Sequence, residues 1–141
     1  MTELSPTIRE LIDSCQKAKG NAYCPYSNFR VGSAVLTESG HIFYGSNVEN
    51  ASYGLTICAE RCALSSAICQ GHRKFKAIAV CTDLEEFKAP CGACRQFIIE
   101  FGIDLDYYMV NNSGEFKKMD FAPLVPLPFA PESLQQSQNK V

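Results

Sequence analysis

The sequence predicts a layered α/β domain built on a mixed sheet, and three observations lead there. Runs of strand length, apolar or alternating, recur at 30–37, 41–47, 75–82, 104–110 and 115–119. Segments with helical spacing fall at 5–19, from about 58 to 68, and from about 91 to 100, so strands alternate with helices. The chain of 141 residues has the length of one ordinary domain, which is read as spanning 1–141.

Each element has a local cause. Ser5 can cap the first helix, Pro6 suits its first turn, and Ile8, Leu11, Ile12 and Cys15 recur at helical spacing before Gly20-Asn21 ends it. The segment AYCPYSNF (22–29) reads as a loop built around Pro25 and Ser27. The strands 30–37 and 41–47 are joined by Glu38-Ser39-Gly40, a hairpin-type turn. Residues 47–57 are irregular. A second helix begins near Cys58, continues through the helix formers of Ala59 to Ile68 and stops at Gly71. FKAIAVCT (75–82) is an apolar run suited to a buried strand. A third helix runs from Cys91 to Glu100 and stops at Gly102, and strands at 104–110 and 115–119 flank the turn at Asn111 to Gly114. The proline-rich and then polar tail, DFAPLVPLPFAPESLQQSQNKV, is expected to wrap the surface and fray at its end.

Composition excludes several function classes. Hydrophobic residues make up 46% and charged residues 20%, as in a globular protein with its own core. The formal net charge of −2 argues against binding nucleic acid, which needs a basic surface to release counterions from phosphates. It gives no reason to sit on an anionic membrane either, and no apolar run has the length to span one. The N-terminal segment is acidic and amphipathic, unlike a secretory signal, so the expected compartment is the cytoplasm.

Eight cysteines, at 15, 24, 58, 62, 69, 81, 91 and 94, are many for this length. In a reducing compartment such a cluster points to metal binding or catalysis rather than disulfides. Two segments stand out, Cys58-Ala59-Glu60-Arg61 and Pro90-Cys91-Gly92-Ala93-Cys94-Arg95. Each falls at the start of an expected helix, where free N–H groups and the positive dipole end depress thiol pKa values. Three readings compete on spacing. Cys58, Cys62, Cys91 and Cys94 could close a structural zinc site of four cysteines. Cys91 and Cys94 alone could be a redox pair. A hydrolytic site would use three thiolates and leave the fourth metal position to water. Glu60 favours the last, because a structural site has no use for a carboxylate two residues from a ligand. A hydrolytic site needs one to move protons between water and substrate. C-A-E followed later by P-C-G-A-C also matches the zinc-deaminase signature.

With these motifs in view, the sequence resembles the small homotetrameric cytidine deaminases of pyrimidine salvage. The likeness runs from AYCPYSNFRVG through NVENASYG, CAERCA and PCGACRQ to PFAPESLQ, nearly the whole chain. It implies a three-layer α/β/α fold with a five-stranded mixed sheet. It implies hydrolytic deamination of cytidine and 2′-deoxycytidine, with one zinc ion per subunit. It assigns Cys58, Cys91 and Cys94 as ligands and Glu60 as the proton carrier. Cys62 then becomes a small buried hydrophobe, as do Cys15, Cys24, Cys69 and Cys81.

Three thiolates on Zn²⁺ leave a net charge of −1, which weakens the metal as a Lewis acid, and positive charge nearby is the remedy. Arg61 is the candidate, with weaker claims for Arg95 and Gln96. The resemblance places Asn47 and Glu49 on the ribose hydroxyls, the backbone near Ala51 on the base and Tyr53 at the ribose end. It makes Phe29 and Phe129 base-stacking aromatics, Phe129 reaching a neighbouring subunit's site. His41 and His72 match no ligand and are read as turn and helix-end residues. The chain departs from common family choices at Gly54, Thr56 and Ala89. The strip 47–53 carries Glu49 and no lysine or arginine, which disfavours a phosphate-bearing substrate.

Overall fold

The computed structural model describes residues 4–138. Its sheet has five strands in the order β2-β1-β3-β4-β5. These are β1 (Val31–Thr37), β2 (Ile42–Ser46), β3 (Phe75–Thr82), β4 (Asp106–Val110) and β5 (Phe116–Asp120). β1 is antiparallel to β2 and β3, β3 is parallel to β4, and β4 is antiparallel to β5, so the sheet is mixed as expected.

Side-chain alternation divides the core between two faces. On one face α1 (Pro6–Lys19) lays Leu11, Ile12 and Cys15 over Ala34, Leu36, Ala77, Ala79, Tyr108 and Val110. On the other, α2 (Ala59–Cys69) and α3 (Gly92–Ile99) pack Ala63, Leu64, Ala67, Ile98 and Ile99 over Val35, Ile78, Val80, Tyr107 and Met109. Two glycines set how closely these layers approach. A Cβ on Gly32 would lie 2.1 Å from the Cys15 carbonyl oxygen, and one on Gly45 would lie 2.4 Å from the Ala63 nitrogen. Gly32 thereby seats α1 on the sheet, and Gly45 seats α2.

Local signals place the elements well. The Ser5 hydroxyl accepts from the Ile8 amide, and Gly40, Gly71 and Gly102 take positive φ at the turns that end a strand and two helices. β4 starts two residues later than expected, because the Leu105 amide turns back to donate to the Ile103 carbonyl at 3.0 Å. The tail holds more structure than composition suggested. It forms a 3₁₀ turn at Ala122–Leu124 and a helix, α4 (Pro131–Gln138), which begins on a proline. The expected fraying concerns residues 139–141, outside the described residues. Among the described residues no helix is long and apolar enough to cross a membrane.

Candidate metal centre and cavity

Cys58 and Cys91 are the N-cap residues of α2 and α3, and neither side chain caps its own helix. Both sulfurs are therefore free to turn toward the gap between the two helix starts. Cys94, one turn into α3, is fully buried and faces the same gap. The three sulfurs lie within 4.8 Å of one another, the only such convergence among the described residues. Cys58 Sγ and Cys91 Sγ are 3.7 Å apart. Two sulfurs on one tetrahedral zinc, each at about 2.3 Å, stand about 3.8 Å apart, so the spacing fits that ion. Cys62 is not part of the cluster. It is half-buried beside Gly45 of β2, and Cys69 is exposed, so neither is the fully buried hydrophobe expected. Cys15, Cys24 and Cys81 are buried as expected.

Electrostatics favour an anionic sulfur at Cys58. The Cys58 thiol is pushed down to about 5, first by the hydrogen bond it accepts from the Cys94 thiol, then by Arg61 and Cys91. Cys94 is pushed up, because it donates that bond and is buried. Arg61 Nη2 lies 3.5 Å from Cys58 Sγ and 3.5 Å from the Thr56 carbonyl oxygen. Its Nε is buried without a partner. The guanidinium thus sits against the cluster, partly buried. Arg95 instead ties the Pro90 and Leu124 carbonyls together, and Gln96 donates to the Phe129 carbonyl.

Glu60 stands on the second position of α2 with 6% of its surface exposed. Its Oε2 is 3.6 Å from Cys94 Sγ and its Oε1 is 3.5 Å from the Tyr107 hydroxyl. Burial raises its pKa, with the Cys58 charge adding to the rise. A carboxyl with raised affinity for a proton, beside a thiolate cluster, can both take up and return one.

These groups open into a cavity of about 460 Å³ lined by Phe29, Asn47, Glu49, Cys58, Glu60 and Cys91, together with Val80, Pro90 and Tyr107. The volume suits a small organic molecule. Asn47 is 8% exposed and is already committed to the backbone. Its Oδ1 accepts from the Val31 amide and its Nδ2 donates to the Phe29 carbonyl, each leaving one further hydrogen-bonding site. Glu49 accepts from the Tyr26 and Ser27 amides and from the Ser27 hydroxyl, and the last of these chiefly lowers its pKa. Both residues are thus fixed before any ligand arrives.

Tyr53 lines an adjoining hollow with Tyr26 and Glu49. Ala51, exposed in a bend, and Phe129, 63% exposed in the tail, are not among the cavity-lining residues of this chain. His41 and His72 meet each other and Ser39 at the turn, apart from the sulfur cluster. Sequence reasoning missed two of the cavity's side chains. Lys88 lines it and is paired with Glu86, and Tyr107 is fully buried in β4. The alternation of β4 puts Tyr107 on the α2/α3 face, but that pattern reads as core.

Comparison with known proteins agrees with this geometry. Residues 5–110 match the family described as the cytidine and deoxycytidylate deaminase zinc-binding region. The chain is 48% identical over 128 residues to a probable cytidine deaminase of Dictyostelium discoideum, covering 90% of this chain and 86% of that one. It is 44% identical over 134 residues to a cytidine deaminase of Sporosarcina psychrophila, covering 94% and 98%. The crystal structure of cytidine deaminase from Burkholderia pseudomallei superposes with a TM-score of 0.82 at 45% identity, over 92% of this chain and all of that one. The sulfur cluster, the buried glutamate between two helix starts and these matches together make the chain a member of the zinc-binding cytidine deaminase family.

Proposed function

We propose that the protein hydrolyses cytidine and 2′-deoxycytidine to uridine and 2′-deoxyuridine with release of ammonia, in pyrimidine salvage. The observation that carries this reading is the position of Glu60. Its carboxylate lines the same cavity as the cysteine cluster, within 3.6 Å of Cys94 Sγ. Cys58, Cys91 and Cys94 are the ligands of one zinc ion per subunit. When bound, zinc supplies a Lewis acid that makes a water acidic enough to attack at neutral pH.

The chain's own residues do the rest. Glu60 takes a proton from the attacking water and hands it to N3 of the pyrimidine while the new C4–O bond forms. It then carries the proton of the new C4 hydroxyl to the amino nitrogen. The C4–N bond breaks, ammonia leaves and C4 becomes a carbonyl. Arg61 holds positive charge against Cys58 and keeps the three-thiolate centre from becoming too electron-rich. Phe29 stacks on the base. Asn47 and Glu49, anchored through Val31, Phe29, Tyr26 and Ser27, offer their remaining hydrogen-bonding capacity to the ribose hydroxyls. Tyr53, in the hollow beside the cavity, closes the ribose end, and the family resemblance alone assigns the backbone near Ala51, which does not line this chain's cavity, to the base.

Phe129 lies outside the cavity of its own chain. The resemblance makes the protein a homotetramer in which Phe129 completes a neighbour's site. Tyr53, Leu55 and Leu127 add exposed apolar surface of the kind an assembly would cover. The chain acts as a single domain over 1–141, in the cytoplasm, without nucleic-acid or membrane partners. The test of the reaction is the appearance of uridine and ammonia from cytidine.

A further inference from the structure

Tyr107 has no place in the reading above, yet it touches the proton carrier. It is wholly buried in β4, paired to Ile78 on one side and Met119 on the other. Its ring packs on Phe121 with centroids 6.0 Å apart and 33° between planes. Phenylalanine or isoleucine would fill this apolar position without a polar atom. A buried phenol is costly unless its hydroxyl finds a partner. The partner here is Glu60, whose Oε1 lies 3.5 Å from the hydroxyl.

The other oxygen of Glu60 faces a different way, since Oε2 lies 3.6 Å from Cys94 Sγ. A thiolate that ligates zinc has no proton to donate. Tyr107 is then the one side-chain donor on the Glu60 carboxylate among the described residues.

We infer that Tyr107 is a positioning residue for Glu60: its hydroxyl holds Oε1 and leaves Oε2 to carry protons between water and substrate. The inference rests on the reading of Glu60 as proton carrier. A glutamate on the first turn of a helix turns freely about its own bonds, whereas β4 is fixed on both edges. Holding one oxygen from the strand presets the other, so less ordering remains to be done in the transition state. The contact is long for O–H···O, and catalytic hydrogen bonds commonly tighten once a substrate is bound.

Tyr107→Phe keeps the ring and removes the hydroxyl. With cytidine, kcat should fall about tenfold while KM stays within twofold, since one hydrogen bond to a charged group is lost. Zinc content should be unchanged. A tetrahydropyrimidine ribonucleoside with a hydroxyl at C4, which mimics the tetrahedral stage, should bind about tenfold more weakly. Uridine affinity should not change. Equal loss of affinity for both ligands would show a merely structural role, and kcat and analogue affinity within twofold of the parent would also overturn the inference. If the variant does not fold, a crystal structure of the zinc-loaded parent protein decides. A Tyr107 hydroxyl within about 3.2 Å of Glu60 Oε1 supports the inference, and any longer separation overturns it. If the parent protein itself leaves cytidine unchanged, the reading of Glu60 falls and takes this inference with it. Turnover by the parent with an unaffected Tyr107→Phe variant sinks the inference alone.

Discussion

The sulfurs of Cys58 and Cys91 stand 3.7 Å apart at the N-caps of two different helices, 33 residues apart in the chain. That spacing fits one tetrahedral zinc. Cys91→Ala should leave the purified protein with little zinc after dialysis against a weak chelator. Cys62→Ala should retain one zinc per subunit. Metal content measured by atomic emission checks both, and zinc loss from Cys62→Ala would revive a closed site of four cysteines.

Glu60 is buried and its pKa is raised mainly by that burial. Glu60→Gln keeps the shape and removes the proposed proton carrier. Zinc content should be unchanged and kcat should fall at least about a hundredfold, the lower range for loss of a general acid–base. Thermal stability should hold or rise, because a neutral amide is cheaper to bury than a carboxylate. Metal analysis, turnover and a melting curve test the three parts separately.

Gly45 gives α2 its seat on the sheet. A Cβ there would lie 2.4 Å from the Ala63 nitrogen and 2.8 Å from the Ala59 carbonyl oxygen. Both are backbone atoms of the helix that carries Glu60, so the helix must move. Gly45→Ala should cost about 1–3 kcal/mol of stability, the usual range for overpacking. It should also reduce zinc affinity, because Cys58 caps the same helix. Denaturant unfolding of the zinc-loaded protein and competition with a metal indicator measure the two effects.

Much of this was legible in the sequence, and the reason is local. Ser5, Gly40, Gly71 and Gly102 mark element ends through their own backbone chemistry, so those boundaries lie within a residue or two of expectation. The C-A-E and P-C-G-A-C segments carry ligand and acid side by side, so their convergence could be anticipated. What was not legible depends on tertiary partners. Tyr107 differs from a core residue only through a carboxylate 47 residues away. Asn47 and Glu49 were expected as ligand groups, but nothing in their neighbours along the chain reveals that the backbone of 26–31 already holds them. Phe129 was assigned to the site by the resemblance alone, and in this chain it does not line the cavity.

Asp83 ties the entrance to β1 to the end of α1. It accepts two hydrogen bonds from the Arg30 guanidinium and one from the Arg30 amide, and it pairs with Lys19 at 3.2 Å. The Arg30 side chain is the chief cause of its pKa falling to about 2 from an ordinary 3.8. A depressed pKa means the folded state binds this proton less readily than the unfolded chain. The stabilisation is therefore whole above pH 3.8 and is lost as pH falls toward 2. Asp83→Asn should lower the melting temperature by a few degrees at pH 7 and by progressively less below pH 4, as scanning calorimetry at both pH values would show. An equal loss at pH 7 and pH 2.5 would contradict this account.

The central claim is that the cysteine cluster and Glu60 form a hydrolytic deaminase site for a free nucleoside. The most direct measurement is to incubate the purified, zinc-loaded protein with cytidine and to follow uridine and ammonia together. The account predicts that both appear in equal amounts and that both cease when the zinc is chelated. No uridine from zinc-loaded protein, or turnover indifferent to chelation, would contradict it.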